Sequence, residues 1–189
     1  MRPLRPGKKL KGWFSRLAKR WATLPDQPAR WTFGPTARNP GAWELPGTKM
    51  LDIRYRKRDR ADHDRLRHQF RRVKREFLEH VRKEAKDSAE VQQAFINAGM
   101  TKRELKEFID TGELPAAFRE VHHRLPLDDS GTNEFENLVI IKGTPEHDAI
   151  TQIQSAVTEG MAVGEVRTVS FPMIPPNVVV WPRAPAVKL

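Results

Sequence analysis

Three of the chain's six histidines, His122, His123 and His147, fall in one segment, VHHRLPLDDSGTNEFENLVIIKGTPEHDAIT, residues 121–151. The other three, His63, His68 and His80, stand among charged residues in a stretch with helical spacing. Imidazole binds metals and also exchanges protons near neutral pH, so this cluster points to a metal, a proton-transfer group or both. The chain has no cysteine, which excludes disulfides and thiolate zinc sites.

The segment divides into elements that can position these groups. FREVHHRL reads as a strand, PLDDSGTNEFE as a loop and NLVIIK as a second strand. A helix follows over PEHDAITQIQSAV, with Thr144 as its cap and Pro145 at its first position. Side chains alternate along a strand, so His122 and His123 face opposite sides. One can help to bind a metal while the other meets a water or a substrate. His147, in the first turn of the helix, can approach the strand pair. An ion held between strand and helix, with a free imidazole beside it, suits phosphodiester hydrolysis. The ion neutralises charge on the phosphate and leaving oxygen, and the imidazole takes a proton from the attacking water. Asp128 and Asp129 read as solvated turn residues, because their charge would repel a phosphate backbone.

The remainder supplies a scaffold and a field. At 189 residues the chain fits one compact domain with an appended arm, and 31% charged against 38% hydrophobic residues allows a modest core. KKLKGWFSRLAKRW, residues 8–21, has a helical apolar face, and residues 22–50 read as irregular. MLDIRYR reads as a strand. Leu66, Phe70, Val73, Phe77 and Val81 mark a long helix over 59–86 whose outer face is mainly Arg and Lys. Thr101 and Glu104 fit a capping box for a second helix that stops at Gly112. From Gly160 onward, short β-like pieces, EVRTVSF and NVVVW, alternate with proline breaks. Residues 1–75 carry 22 Lys and Arg against 6 Asp and Glu, a balance of +16, while residues 76–189 balance at −6. Such a field attracts phosphates. No apolar run is long enough to span a membrane, and the charged N-terminus does not resemble a secretory signal.

EVHHRLPLDDSGTNEFENLVIIKGTPEHDAIT resembles the HNH, or ββα-metal (His-Me finger), nucleases, in particular the colicin- and pyocin-like DNase branch of bacterial nuclease toxins. The resemblance rests on the paired histidines, the P-x-x-x-x-G-T-N loop, the N-L-V-I-I strand and the helix histidine, over about 120–155. It implies an α+β fold: a helical N-terminal part and a C-terminal ββα-metal module over about 118–157. The domain would cover 51–189, after a basic, Trp- and Pro-rich segment over 1–50. It further implies that His122 and His147 are metal ligands and His123 the general base. Asn137 would hold the loop and the base in register, and Glu120 would support the site. Colicin-type enzymes carry another histidine one turn after the helix histidine, where this chain has Thr151. Two imidazoles and several waters favour Mg²⁺ or Mn²⁺, with Zn²⁺ or Ni²⁺ as alternatives.

The implied activity is metal-dependent hydrolysis of DNA. Arg71, Arg72, Arg75 and Arg124 would contact the nucleic acid, largely through the backbone and with little sequence preference. The resemblance also implies an antibacterial effector made in the cytoplasm without a cleaved signal. A secretion system or carrier protein would deliver it into the cytoplasm of a target bacterium, and an immunity protein would neutralise it in the producer. The competing readings are a phage or mobile-element HNH nuclease, and a non-catalytic nucleic-acid-binding protein that keeps the scaffold.

Overall fold

The computed structural model describes residues 16, 18–25, 29–33, 41–176, 178–181 and 187–188. Most of the expected helix over 8–21 lies outside the described residues; within them, 18–23 are helical. The elements run β1 (Ala29–Phe33), β2 (Gly41–Leu45), β3 (Lys49–Arg56), α1 (Arg60–Asp87), α2 (Ala89–Asn97), α3 (Lys102–Thr111), β4 (Glu120–His123), β5 (Leu138–Ile141), α4 (Asp148–Val157), β6 (Val166–Met173), β7 (Val180–Trp181) and β8 (Val187–Lys188). The fold is mixed α and β, with helices set around small sheets, as an α+β protein requires. No helix among the described residues is long and apolar enough to cross a membrane.

Local chemistry sets the helix limits. Asp59 caps α1 by accepting a hydrogen bond from the Asp62 N–H at 2.9 Å, and the apolar stripe buries Phe77, Val81 and Ala85. Ser88 ends α1 and caps α2 by accepting from the Val91 N–H. The expected capping box of α3 is complete, with Thr101 and Glu104 bonded reciprocally, and Gly112 closes that helix at φ 83°. A left-handed residue is needed there to turn the chain out of the helix, and glycine adopts it without a Cβ penalty.

The tertiary pairings were less accessible from sequence. Ala29–Phe33 and Gly41–Leu45, expected to be irregular, form antiparallel β1 and β2, with Ala29 opposite Leu45. β3 pairs along its whole length with β6, from Lys49 opposite Met173 to Arg56 opposite Val166. β4 and β5 are antiparallel, and β7 joins β5 in parallel. The boundary expected between residues 50 and 51 falls inside β3, and Ala29 and Leu45 share a core with Leu51 and Ile53.

β5 divides two cores. Val139 and Ile141 join Leu51, Ile53, Ile150, Phe171 and Trp181 on one side. Leu138 and Ile140 join Phe77, Val81, Phe95, Phe108 and Phe118 on the other. A strand covered on both faces must be apolar throughout, which accounts for the unbroken run Leu-Val-Ile-Ile. The same division settles what each face of β4 meets. Val121 belongs to the helical core, so His123, two residues on, points toward α1, while His122 points toward α4.

Candidate functional site

His122 lies opposite Val139 in the β4–β5 ladder. Its ring meets that of His147 edge to face, with centroids 5.4 Å apart and planes at 83°. His147 closes a single wide turn, Gly143–His147, whose Lys142 carbonyl accepts from the His147 N–H at 3.1 Å. The helix proper begins one residue later, so His147 sits just ahead of α4 and not within its first turn. Thr144 and Pro145, expected as the cap and first position of the helix, fall inside that turn, and His147 takes the position before α4. His122 is buried, and its Nε2 has no hydrogen-bond partner among the described residues. Burial, and then the neighbouring His147, His123 and Arg124, push its pKa down to about 3. A buried, neutral imidazole nitrogen without a partner, beside a second imidazole, is a ready pair of metal donors. Among the described residues no group of three or more His, Asp or Glu side chains is placed to hold an ion.

His123 occupies a different environment. Its half-buried ring lies against Phe70 of α1, with centroids 4.4 Å apart. Burial pushes its pKa down to about 4, against the opposing effect of its bond to Asn133. Asn133 ends the P-x-x-x-x-G-T-N loop, but no role for it was anticipated from the sequence. Its Oδ1 lies 2.9 Å from His123 Nε2, and its Nδ2 donates to the Leu66 carbonyl of α1 at 2.9 Å. A carbonyl only accepts, so the NH₂ group must face Leu66 and the amide oxygen must face the imidazole. His123 Nε2 therefore carries the proton, and Nδ1 holds the lone pair.

Asn137 organises the loop between β4 and β5. Its Oδ1 accepts from the Leu125 N–H at 2.8 Å, and its Nδ2 donates to the Leu125 and Thr132 carbonyls at 2.9 Å each. It ties together the two ends of the loop that carries Asn133. Gly131 is required in between: a Cβ there would stand 2.1 Å from the Leu125 carbonyl oxygen and 2.4 Å from that of Pro126. Arg58 fastens the outside of the loop, donating to the carbonyls of Leu127, Asp129 and Gly131 at 2.7, 2.8 and 2.9 Å.

Asp128 and Asp129 are not solvated turn residues. Asp128 accepts from the Tyr55 hydroxyl at 2.6 Å, Lys57 Nζ at 3.0 Å and Gln154 Nε2 at 3.1 Å. Burial alone would raise its carboxyl, but these donors hold it below the usual range. Tyr55, buried beside that carboxylate, is driven far above the usual phenol value. Asp129 is 1% exposed and accepts from the Arg56 N–H at 2.5 Å. Burial raises its carboxyl. The pair joins the loop to β3 and α4 and so fixes the site's frame.

Arg124, expected to contact nucleic acid, is 2% exposed. Its guanidinium donates to the carbonyls of Pro175, Glu136, Leu138 and Val178, joining the C-terminal segment to β5. Burial lowers its pKa to about 9, which still leaves it charged at neutral pH. All its contacts are interior, so it does not reach a surface ligand. Arg71, Arg72 and Arg75 are exposed on α1, and Arg72 also meets Glu76 at 3.4 Å. Glu120 is exposed at the start of β4, opposite Ile141 in the ladder, and its side chain makes no hydrogen bond or ion pair among the described residues, so no direct side-chain bond links it to His123. Thr151 is exposed on α4, one turn after His147.

No protein-family model matches the chain, and no solved structure matches it. The chain is similar to YhhZ, an uncharacterized protein of Escherichia coli strain K12, with 38% identity over 122 residues. That alignment covers 64% of this chain and 28% of YhhZ, so the chain spans less than a third of that relative.

Proposed function

We propose that this chain is a metal-dependent endonuclease of the HNH, or ββα-metal, type that hydrolyses DNA phosphodiester bonds. The observation that carries the reading is the separation of the two adjacent imidazoles across β4. His122 presents an unpartnered buried nitrogen beside His147 on one side, while His123 presents an oriented lone pair on the other. His122 and His147 would hold the ion. Bound there, a divalent cation would offset charge developing on the phosphate and the leaving oxygen. Mg²⁺ or Mn²⁺ suits a set of two imidazoles completed by water better than Zn²⁺ does.

His123 Nδ1 accepts a proton from the attacking water, and the resulting hydroxide attacks phosphorus in line with the 3′-oxygen. The P–O3′ bond breaks, the departing 3′-oxygen takes a proton from a solvent water to become the 3′-hydroxyl, the 5′-phosphate remains on the other product, and the imidazolium returns its proton to solvent. Asn133 holds the ring in the required tautomer, and Asn137 holds the loop that carries Asn133. Exposed Arg71, Arg72 and Arg75 supply phosphate attraction along α1. In the cell we place this activity in an antibacterial effector, delivered by a secretion system or carrier protein and restrained in the producer by an immunity protein.

Plasmid nicking tests the activity. Supercoiled DNA should be nicked and linearised with Mg²⁺ or Mn²⁺ and stay intact with EDTA. DNA left intact with every divalent ion would end the nuclease reading. Toxicity on expression, relieved by a neighbouring gene's product, tests the effector role.

A further inference from the structure

A second basic feature lies along α1, beyond the point where Phe70 touches His123. α1 and the segment 111–119 enclose an open cleft of about 460 Å³ whose walls include Lys74, Arg75, Arg82 and Arg119. Half-buried Leu78 and buried Leu114 form its apolar floor. Glu79 and Glu113 also line it, and Glu79 is engaged by Arg82 at 3.1 Å. Arg82 is further committed to the carbonyls of Ile109 and Asp110 at the end of α3. Lys74 donates to the Arg119 carbonyl at 2.9 Å, which keeps its charge unneutralised at the mouth. Among the described residues, Lys74, Arg75 and Arg119 have no carboxylate partner. The cleft thus gathers more cationic charge than its own carboxylates balance, and a polyanion is the ligand class it suits.

The placement of these groups relative to His123 gives the cleft a role. Lys74 and Arg82 follow Phe70 by four and twelve residues on α1. At the helical rise this puts them about 6 and 18 Å along the axis from the His123 contact. Those offsets correspond to roughly two to five base-pair rises. Arg119 immediately precedes β4, so the cleft adjoins the strand that carries both site histidines.

We propose that this cleft is a backbone-phosphate subsite, binding the nucleic acid a few nucleotides from the bond that is cut. The proposal rests on the nuclease reading. Arg75 and Arg119 make the contacts, while Lys74 and Arg82 fix the walls and add to the field.

The test measures the affinity of the EDTA-treated protein for a duplex of about twenty base pairs, between about 50 and 200 mM salt. Wild type is compared with Arg75→Gln/Arg119→Gln and with Lys102→Gln/Arg103→Gln, which removes equal charge from the exposed start of α3. Circular dichroism checks that each variant is folded. Losing two phosphate contacts should lower the slope of log K against log salt by about 1.8, which makes the affinity loss over that range about twelvefold smaller. The α3 variant should change the slope by less than half as much. Equal slopes in all three proteins, or equal reductions in both variants, would overturn the subsite while leaving wild-type cleavage, and the nuclease reading, intact. A wild type that neither binds nor cuts the duplex would overturn both.

Discussion

Replacing Asn137 with alanine should cost about 3–6 kcal/mol of folding stability, and the structure shows where that cost arises. The 1%-exposed amide satisfies the N–H and carbonyl of Leu125 and the carbonyl of Thr132. Alanine leaves all three without that partner, and a buried orphaned polar group costs about 1–3 kcal/mol. Thr132 is half-exposed, so water can relieve its carbonyl, and the total falls in the lower part of the summed range. For a chain of this length about 1 kcal/mol moves Tm by roughly 2–4 °C, so the expected fall is roughly 6–24 °C. Asn137→Asp should lose nearly as much, because its carboxylate keeps the Leu125 N–H but faces two carbonyls. Thermal melts followed by circular dichroism, with urea titrations at fixed temperature, measure both variants. A fall in Tm of less than about 3 °C for the alanine variant would refute the claim that this amide closes the loop.

Three further outcomes follow from the same geometry. Asn133→Leu should keep the fold yet slow DNA cleavage by about 10–100-fold, the usual penalty for losing a group that orients a site residue; ¹⁵N shifts of the His123 ring should report mixed tautomers in place of a single Nε2–H form. Asp128 is depressed by its donors, so its stabilisation is full above the ordinary carboxylate value and fades as pH falls through the folded one. Asp128→Asn should therefore lose roughly 2–3 kcal/mol at neutral pH and show a flatter fall of Tm below about pH 4, and a wild-type acid slope in the variant melts would contradict this. Thr151→His should tighten Zn²⁺ binding by supplying a third nitrogen and weaken activity with Mg²⁺, and calorimetry showing unchanged Zn²⁺ affinity would mean that position 151 does not face the ion.

Local signals carried much of this structure. The stripe Leu66–Val81, the Thr101–Glu104 box, the Gly112 stop and the apolar run of β5 each depend on residues close in sequence, and each element stands where its pattern predicts. The relation between His122, His123 and His147 was legible for a similar reason: strand alternation separates the first two, and a short connection returns the third. Long-range partnerships were not legible. Asp128 and Asp129 look like turn residues until Tyr55 and Arg56, more than seventy residues earlier, are brought against them. Arg124 looks like a surface cation because nothing local announces four converging carbonyls. Asn133 is one polar residue of a polar loop, and its use depends on α1 crossing beside β4. The Gly131-Thr132-Asn133 run was a usable hint, since glycine where no Cβ fits implies a tightly folded loop that can aim its next side chains.

In the proposed mechanism His123 moves a proton while His122 and His147 hold an ion. Single-turnover cleavage of a labelled duplex with Mn²⁺, paired with calorimetric Mn²⁺ titration, separates those roles in His123→Ala and His122→Ala. His123→Ala should cleave about 10²–10⁴-fold more slowly with wild-type Mn²⁺ affinity, and His122→Ala should lose the ion itself. Wild-type cleavage by His123→Ala, or undiminished Mn²⁺ binding by His122→Ala, would contradict it.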